Sequence, residues 1–338
     1  MFYKVKLSKI TRLVLQYVVP LVALGYLAFE FYDLPKEHIE LWTSEIHNNP
    51  SMAFMIGAVV VLSGANWFLE AAKWKFLAGK VEQIGLLRAL AGVLYAIGLG
   101  FISPRQVGEL MGKVVVLSRE NQLQGLVMSS AGSFVQFCTT FFMGHAGLLV
   151  GVLVLSPSDV SILNQGLIGY SFLIGILSIG MLIFHGRVIR YLASLKLGEY
   201  LSKVLKAMGL LRLIDIRYVV LISVVRYFTF ILQFHLLLVA FGACVSLVAS
   251  GVVLSITYLI MAGIPVSGIL DSGVRGSVAL FVFQFFSQSF SHASLSPELY
   301  VVPAMVGLWA INIAIPGLIG VWIAINGKIF VKPNSKQI

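Results

Sequence analysis

Residues 101–117 read FISPRQVGELMGKVVVL, which sets Arg105, Glu109 and Lys113 within nine positions of one another between apolar runs. Ser103-Pro104 precedes the charges. Proline lacks the N–H that a helix interior requires, and it pushes the residue before it out of the helical region. The stretch therefore predicts a break between two apolar arms, with Arg105 and Glu109, spaced i and i+4, on one face of the returning arm.

The setting of that break comes from the composition. Hydrophobic residues make up 59% of the 338 and charged ones 11%, against roughly 45–50% and 25% in a soluble domain. Stretches of about 20 apolar residues follow one another with short connections, each long enough for a bilayer core. They fall near 13–32, 52–72, 86–103, 123–155, 165–184, 217–241, 246–264, 277–291 and 301–326. The fold class expected is all-α: a polytopic integral membrane protein of about 7–9 hydrophobic segments, forming one domain over 1–338. The net charge of +10 is carried by lysines and arginines in short loops beside apolar runs. They act as topology signals and contacts for anionic headgroups, and no nucleic-acid partner is implied.

Counting those charges decides how the break is used. Lys4, Lys6, Lys9 and Arg12 place the N-terminus in the cytoplasm, the acid-rich connection 33–50 outside, and Lys73, Lys75, Lys80 and Arg88 inside again. A full span at 86–103 would then put Arg187, Arg190, Lys196, Lys203, Lys206 and Arg212 outside. An even number of crossings over 86–122 removes the conflict. The economical form is a re-entrant hairpin of two half-helices meeting at Pro104, buried in protein or lining a wet cavity because lipid cannot satisfy its freed backbone groups. The same count puts both termini and 185–216 in the cytoplasm and 156–164 outside. The basic stretch 185–217 has the pattern of an amphipathic helix on anionic lipid.

A second interruption follows in SGVVLSITYLIMAGIPVSGILDSGVRGSVALFVFQF, 250–285. Here an apolar arm meets Pro265 and Gly268, then Asp271, Gly273 and Arg275, then another arm. The order matches 92–112, where an arm is followed by Pro104, Arg105, Gly108 and Glu109. The second element enters from the opposite side or makes two full spans. Oppositely entering broken segments point to an inverted-repeat transporter with its site between them. Asp271 and Arg275, also i and i+4, mirror Arg105 and Glu109, and a charge held near mid-membrane costs roughly 2.5–3.5 kcal/mol even on a lenient scale, so all four are candidate headgroup contacts.

NWFLEAAKWKFLAG (66–79), ISPRQVGELMGKVVVL (102–117) and IPVSGILDSGVRGSVAL (264–280) together resemble the lysylphosphatidylglycerol synthase/flippase transmembrane family, which includes the membrane domain of the multiple peptide resistance factor. The family's basic-aromatic step falls on Lys73-Trp74, and its Pro-Arg-x-x-Gly-Glu element on Pro104, Arg105, Gly108 and Glu109. Its late element falls on Pro265, Gly268 and Gly273-Val274-Arg275, with Gly276 where the family has glutamate and Asp271 as the nearby acid. The resemblance implies translocation of phospholipid, anionic or aminoacylated, across the cytoplasmic membrane. It also implies no enzymatic activity for this chain, since the aminoacyl transfer of two-domain relatives belongs to a separate soluble domain.

Other chemistries find less in the residues. A membrane enzyme of lipid or lipid-linked glycan metabolism needs a general base or metal-holding acids, and Asp33, Glu37, Glu40 and Glu45 lack such spacing. A scaffold for a lipid enzyme, or a homo-oligomer, is compatible with the sequence. No Walker loop is present. His145 and His235 lack a second ligand at i+3 or i+4, so no metal or cofactor is expected. Cys138 and Cys244, both in apolar runs, read as small core residues. No small-residue cleavage site follows the first apolar run, so a cleaved signal peptide is not expected. Arg226, nine residues into its segment, either snorkels or has a partner; Glu70 stands three residues before Lys73 and can pair with it.

Overall fold

The computed structural model describes residues 50–100, 107–154, 161–194, 209, 211–264, 271–286 and 297–326. The expected segment 13–32, the connection 33–49, the basic residues near the N-terminus, Pro104, Arg105, Pro265 and Gly268 lie outside the described residues. Every regular element among those described is helical. In chain order they are α1 (Pro50–Ala78), α2 (Leu86–Gly100), α3 (Val107–Val114), α4 (Gln122–Val154), α5 (Ser161–Ser194), α6 (Leu213–Ala240), α7 (Leu247–Ala262), α8 (Asp271–Phe286) and α9 (Glu298–Trp309). A π-helical turn (Ala310–Ala314) then joins α9 to α10 (Ile315–Asn326).

Four stretches are long and apolar enough to cross a membrane: α1, α4, α6 and the run Glu298–Ile323. Their outward faces carry large apolar side chains, among them Phe54, Val61, Leu221, Phe228 and Trp322. Such a surface suits hydrocarbon and not water. By contrast α2, with 15 residues, and α3, with 8, reach only about 22 Å and 12 Å at 1.5 Å per residue. Neither spans a core of about 30 Å alone.

Contacts between the helices fix their relative directions. Gly92 meets Val116 and Gly112 meets Ala96, so α2 and α3 run antiparallel. Gly112 has Ala96 directly against its Cα, and any side chain there would collide with it. Lys73 reaches Gln136 and Leu77 reaches Gly132, so α1 and α4 are antiparallel. Val59 meets Gln233 and Asn66 meets Arg226, which sets α6 antiparallel to α1. In turn α7 opposes both α4 (Gly144 to Leu259, Gly151 to Val252) and α6 (Tyr227 to Tyr258, His235 to Ser250). The α9–α10 run also opposes α6, through Leu237 with Gly307 and Gln233 with Asn312.

The chain therefore leaves α1 and enters α4 at the same end of the bundle, the even reversal over 79–121 that the basic residues demand. The loops at that end are fastened together. Glu82, ahead of α2, accepts hydrogen bonds from the Ser118 N–H (2.8 Å), the Ser118 hydroxyl (2.7 Å) and the Asn121 amide (3.1 Å), all beyond α3. Lys80 meets Asp215 at 2.7 Å, and Asp215 caps α6 by accepting from the Arg212 N–H at 2.9 Å. The opposite end holds the α6–α7 turn, where Gly242 takes a φ of 94°, a left-handed conformation suited to glycine.

One sequence expectation is corrected. Cys244 is exposed in the α6–α7 turn, and only Cys138 is buried. The expected segment 301–326 is a continuous helical run, with a π turn between α9 and α10. Pro316 explains the turn: it has no N–H for the Asn312 carbonyl four residues earlier, and its ring crowds that oxygen.

Glu82 gives the fold a pH test. Partial burial pushes its carboxyl up, but the hydrogen bonds from Ser118 and Asn121, helped by Arg88, hold it below its ordinary value. A carboxyl depressed in the folded state adds stability above its unfolded pKa, and that contribution is lost as pH falls through the depressed value. Glu82→Gln is expected to cost about 1 kcal/mol at pH 7. The gap from wild type should narrow as pH is lowered below about 4, as read by thermal unfolding in detergent; a gap independent of pH would show that the ionised carboxylate is not the fastening.

Candidate functional site

On α1, Ser63, Asn66, Glu70 and Lys73 are spaced by three, four and three residues and so share one face. All four are buried, although they lie in an otherwise apolar span. Polar groups at such a depth need partners, and three other helices bring them.

Glu70 is the centre. Its Oε1 receives Lys113 Nζ from α3 at 2.8 Å, and its Oε2 receives Lys73 Nζ at 2.6 Å and Arg226 Nη1 from α6. Arg226 Nε also donates to the Asn66 side-chain oxygen at 2.7 Å, and its Nη1 to the Gln136 side-chain oxygen of α4 at 2.9 Å. Lys73 donates to the same Gln136 oxygen. Lys113 turns its remaining capacity to Glu109, one turn back on α3, at 3.1 Å. Lys73, Lys113 and Glu70 are nearly sealed, Arg226 is 12% exposed, and Glu109 at 35% forms the open edge. The cluster thus holds three cations and two carboxylates.

A neutral network continues it along α1. The Asn66 amide (3.2 Å) and the Ser63 hydroxyl (3.1 Å) both donate to the side-chain oxygen of Asn312 in the π turn. The Asn312 amide donates to Gln233 of α6 (3.2 Å) and to the Leu308 carbonyl (3.0 Å). That carbonyl is the one an α-helix would give to the Asn312 N–H, so the side chain helps hold the π register. From Ser63 to Lys73 the polar face runs about 15 Å.

The second interrupted element arrives beside the first cluster. Asp271 and Arg275, on the first turns of α8, pair at 2.7 Å. The Arg275 guanidinium lies 5.4 Å from the centre of the Tyr258 ring. Tyr258 packs edge-on against Tyr227 (6.3 Å) and Phe230 (6.1 Å), at the depth of Arg226. The charges of Arg226, Arg275 and Asp271 all act on its hydroxyl. Four residues beyond Tyr258, α7 ends at Ala262. A shallow cleft of about 300 Å³ lies elsewhere, against Gly273, Ser277, Phe281, Gln284 and Val302. No charged side chain lines it, and the convergence of charges at Glu70 carries the chemistry.

Several expected residues come together here and others do not. Glu109 and Lys73 belong to the cluster, and the Asp271–Arg275 pair forms as its spacing suggests. Gly108, beside Glu109, is buried, and Gly273 is half-buried in the first turn of α8. The pair expected between Arg105 and Glu109 falls on a residue outside those described; among the described residues Glu109 pairs with Lys113, one turn on along α3. Lys73 and Trp74 are both buried inside the bundle. Trp74 is 1% exposed in the apolar cluster with Leu77, Val93, Met128 and Val135. Arg226 has partners and does not snorkel. His145 Nδ1 bonds the Phe141 carbonyl at 2.8 Å, and His235 Nδ1 the Ser250 hydroxyl at 3.0 Å.

Gln136, Gln233, Asn312 and Tyr258 carry no sequence motif. Their only signal is an isolated polar side chain inside an apolar run.

Removing one member of a buried charge network leaves the others unneutralised and costs roughly 3–5 kcal/mol. Glu70→Gln should therefore lower the yield of folded protein and its unfolding temperature sharply. Glu109→Gln, at the open edge, should cost under about 1 kcal/mol. Size-exclusion profiles and thermal unfolding of the two variants check the order. No family model, curated protein or solved structure matches the chain.

Proposed function

We propose that this protein is a lipid translocase of the flippase type, moving a phospholipid or lipid-linked headgroup across the cytoplasmic membrane. The observation that carries the reading is the cation-rich cluster at Glu70, buried inside a bundle with an apolar exterior and joined by Lys113 and Glu109 of α3, the helix that follows the first interruption. A purely apolar bundle needs no such centre, and the centre is costly to keep unless it serves a charged cargo. The resemblance of Pro104 to Glu109 and of 264–280 to the lysylphosphatidylglycerol synthase/flippase transmembrane family points the same way.

In this reading α2 and α3 form a re-entrant hairpin open to the cytoplasm. The pair α7 and α8 enters from outside. The headgroup passes between them, with Arg105 and Arg275 meeting phosphate and Glu109 and Asp271 meeting or balancing cationic groups. Lys73 holds Glu70 in place beneath that path, and Trp74 anchors the same helix in the core.

Two measurements test it. Cys244, exposed in the α6–α7 turn, should react with an impermeant thiol reagent from outside. Glu120→Cys, exposed between α3 and α4, should react only from the cytoplasmic face. Labelling of both from one side would remove the topology. In proteoliposomes carrying headgroup-labelled lipids, wild type should speed transfer between leaflets, and Glu109→Gln should slow it at least about tenfold, a loss of roughly 1.4 kcal/mol in the barrier, while remaining folded. Transfer unchanged in the variant would take Glu109 out of the path, and a new covalent lipid product would indicate an enzyme.

A further inference from the structure

We infer that the Gln136–Arg226 edge of the cluster is a binding site for one monoanionic phosphate-class group, with Gln136 standing where a carboxylate would complete the charge balance. The argument begins with counting. Lys73, Lys113 and Arg226 contribute three positive charges, and Glu70 and Glu109 two negative ones, within a single set of contacts. The neighbouring Asp271–Arg275 pair is neutral in itself. One positive charge among the described residues is left without a counter-charge in a low-dielectric interior, where an unbalanced ion costs several kcal/mol.

The surplus is not spread evenly. Lys113 has two carboxylates, at 2.8 Å and 3.1 Å. Lys73 and Arg226 share a single carboxylate oxygen, Glu70 Oε2, and both turn to a neutral amide oxygen, Gln136 Oε1, for the remainder. That amide supplies a dipole at a place where the field calls for a charge. Among the described residues Arg226 Nη2 makes no hydrogen bond. Gln136 and Arg226 are also half-buried while Lys73 and Lys113 are sealed, so of the three cations Arg226 is the one a ligand can reach. A guanidinium presents a planar fork suited to a phosphate oxygen pair. The surplus of one sets the ligand charge at minus one, the charge of a phosphodiester, or of inorganic phosphate in its singly charged form.

The source of the anion, lipid or free phosphate, rests on the translocase reading; the site itself does not. Gln136→Glu keeps the shape and adds the missing charge. Relative to wild type in anion-free detergent, it should unfold at a higher temperature. Its affinity for short-chain phosphatidylglycerol, measured by thermal shift at constant ionic strength, should fall at least about tenfold. Gln124→Glu adds the same charge at an exposed position on the first turn of α4, outside the cluster, and should keep the response to the lipid. Inorganic phosphate and short-chain diacylglycerol complete the panel. A response to phosphate as large as that to the lipid assigns the site to the free anion, while a larger one to the lipid assigns it to the headgroup; diacylglycerol should give none. The inference is overturned if both variants lose the response, if neither does, or if Gln136→Glu is less stable than wild type. Gln136-dependent anion binding in a protein that moves no lipid would sink the translocase and leave the site standing. Lipid movement with no anion response would do the reverse.

Discussion

The carboxylate of Glu70 is the point on which α1, α3 and α6 converge, and α4 joins through Gln136, which shares two of the same cations. Its two oxygens accept from three cations on three helices. In a bundle whose exterior is apolar, the lipid gives little preference for one helix packing over another, because hydrocarbon is as good a neighbour as a leucine. A buried ion with fixed partners supplies that preference. Any slip of α3 or α6 by a turn would leave Lys113 or Arg226 charged and unpaired, so the charges specify register even where they add little net stability.

The rest of the arrangement follows from satisfying that centre. Asn66 turns Arg226 toward Glu70 and passes the network to Asn312. The π turn then places the Asn312 side chain against α1 and α6 at once, a geometry made available by Pro316. Close-packed glycines do the complementary work of bringing backbones together. A side chain on Gly98 would come within 2.8 Å of the Gly317 carbonyl, and one on Gly151 within 2.9 Å of Val252. Small residues at helix seams let the short α2 and α7 fit beside the long helices, so the broken elements reach the charges instead of being held off by their neighbours.

Function is drawn from the same tension. A site that binds a charged headgroup inside a membrane must offer charge without collapsing on itself, and a fully balanced network has nothing left to offer. The cluster at Glu70 is balanced to within one charge, and the two most exposed groups, Glu109 and Arg226, stand at its edges. The Asp271–Arg275 pair and Tyr258 extend polar surface toward the second interrupted element at the same depth. In the translocase proposed above, a headgroup leaving one element would meet the other without crossing bare hydrocarbon.

The sequence by itself determined the helical class, the apolar spans at α1, α4, α6 and α9–α10, and the Asp271–Arg275 pair. Each of these depends on local or one-dimensional information: apolar length and i, i+4 spacing. Tertiary structure alone decided which charges meet. Glu70 lies 43 residues from Lys113 and 156 from Arg226, and no local pattern records such a separation. The sequence pattern paired Lys73 only with Glu70, three residues before it. Packing brought Lys113 and Arg226 to the same carboxylate and buried Lys73 with it, because α1 continues past its apolar stretch to Ala78 and buries that face against α4 and α6. Gln136 and Asn312 were legible only as lone amides in apolar runs, and their meaning comes from the unbalanced charges and the proline-loosened turn that folding sets beside them.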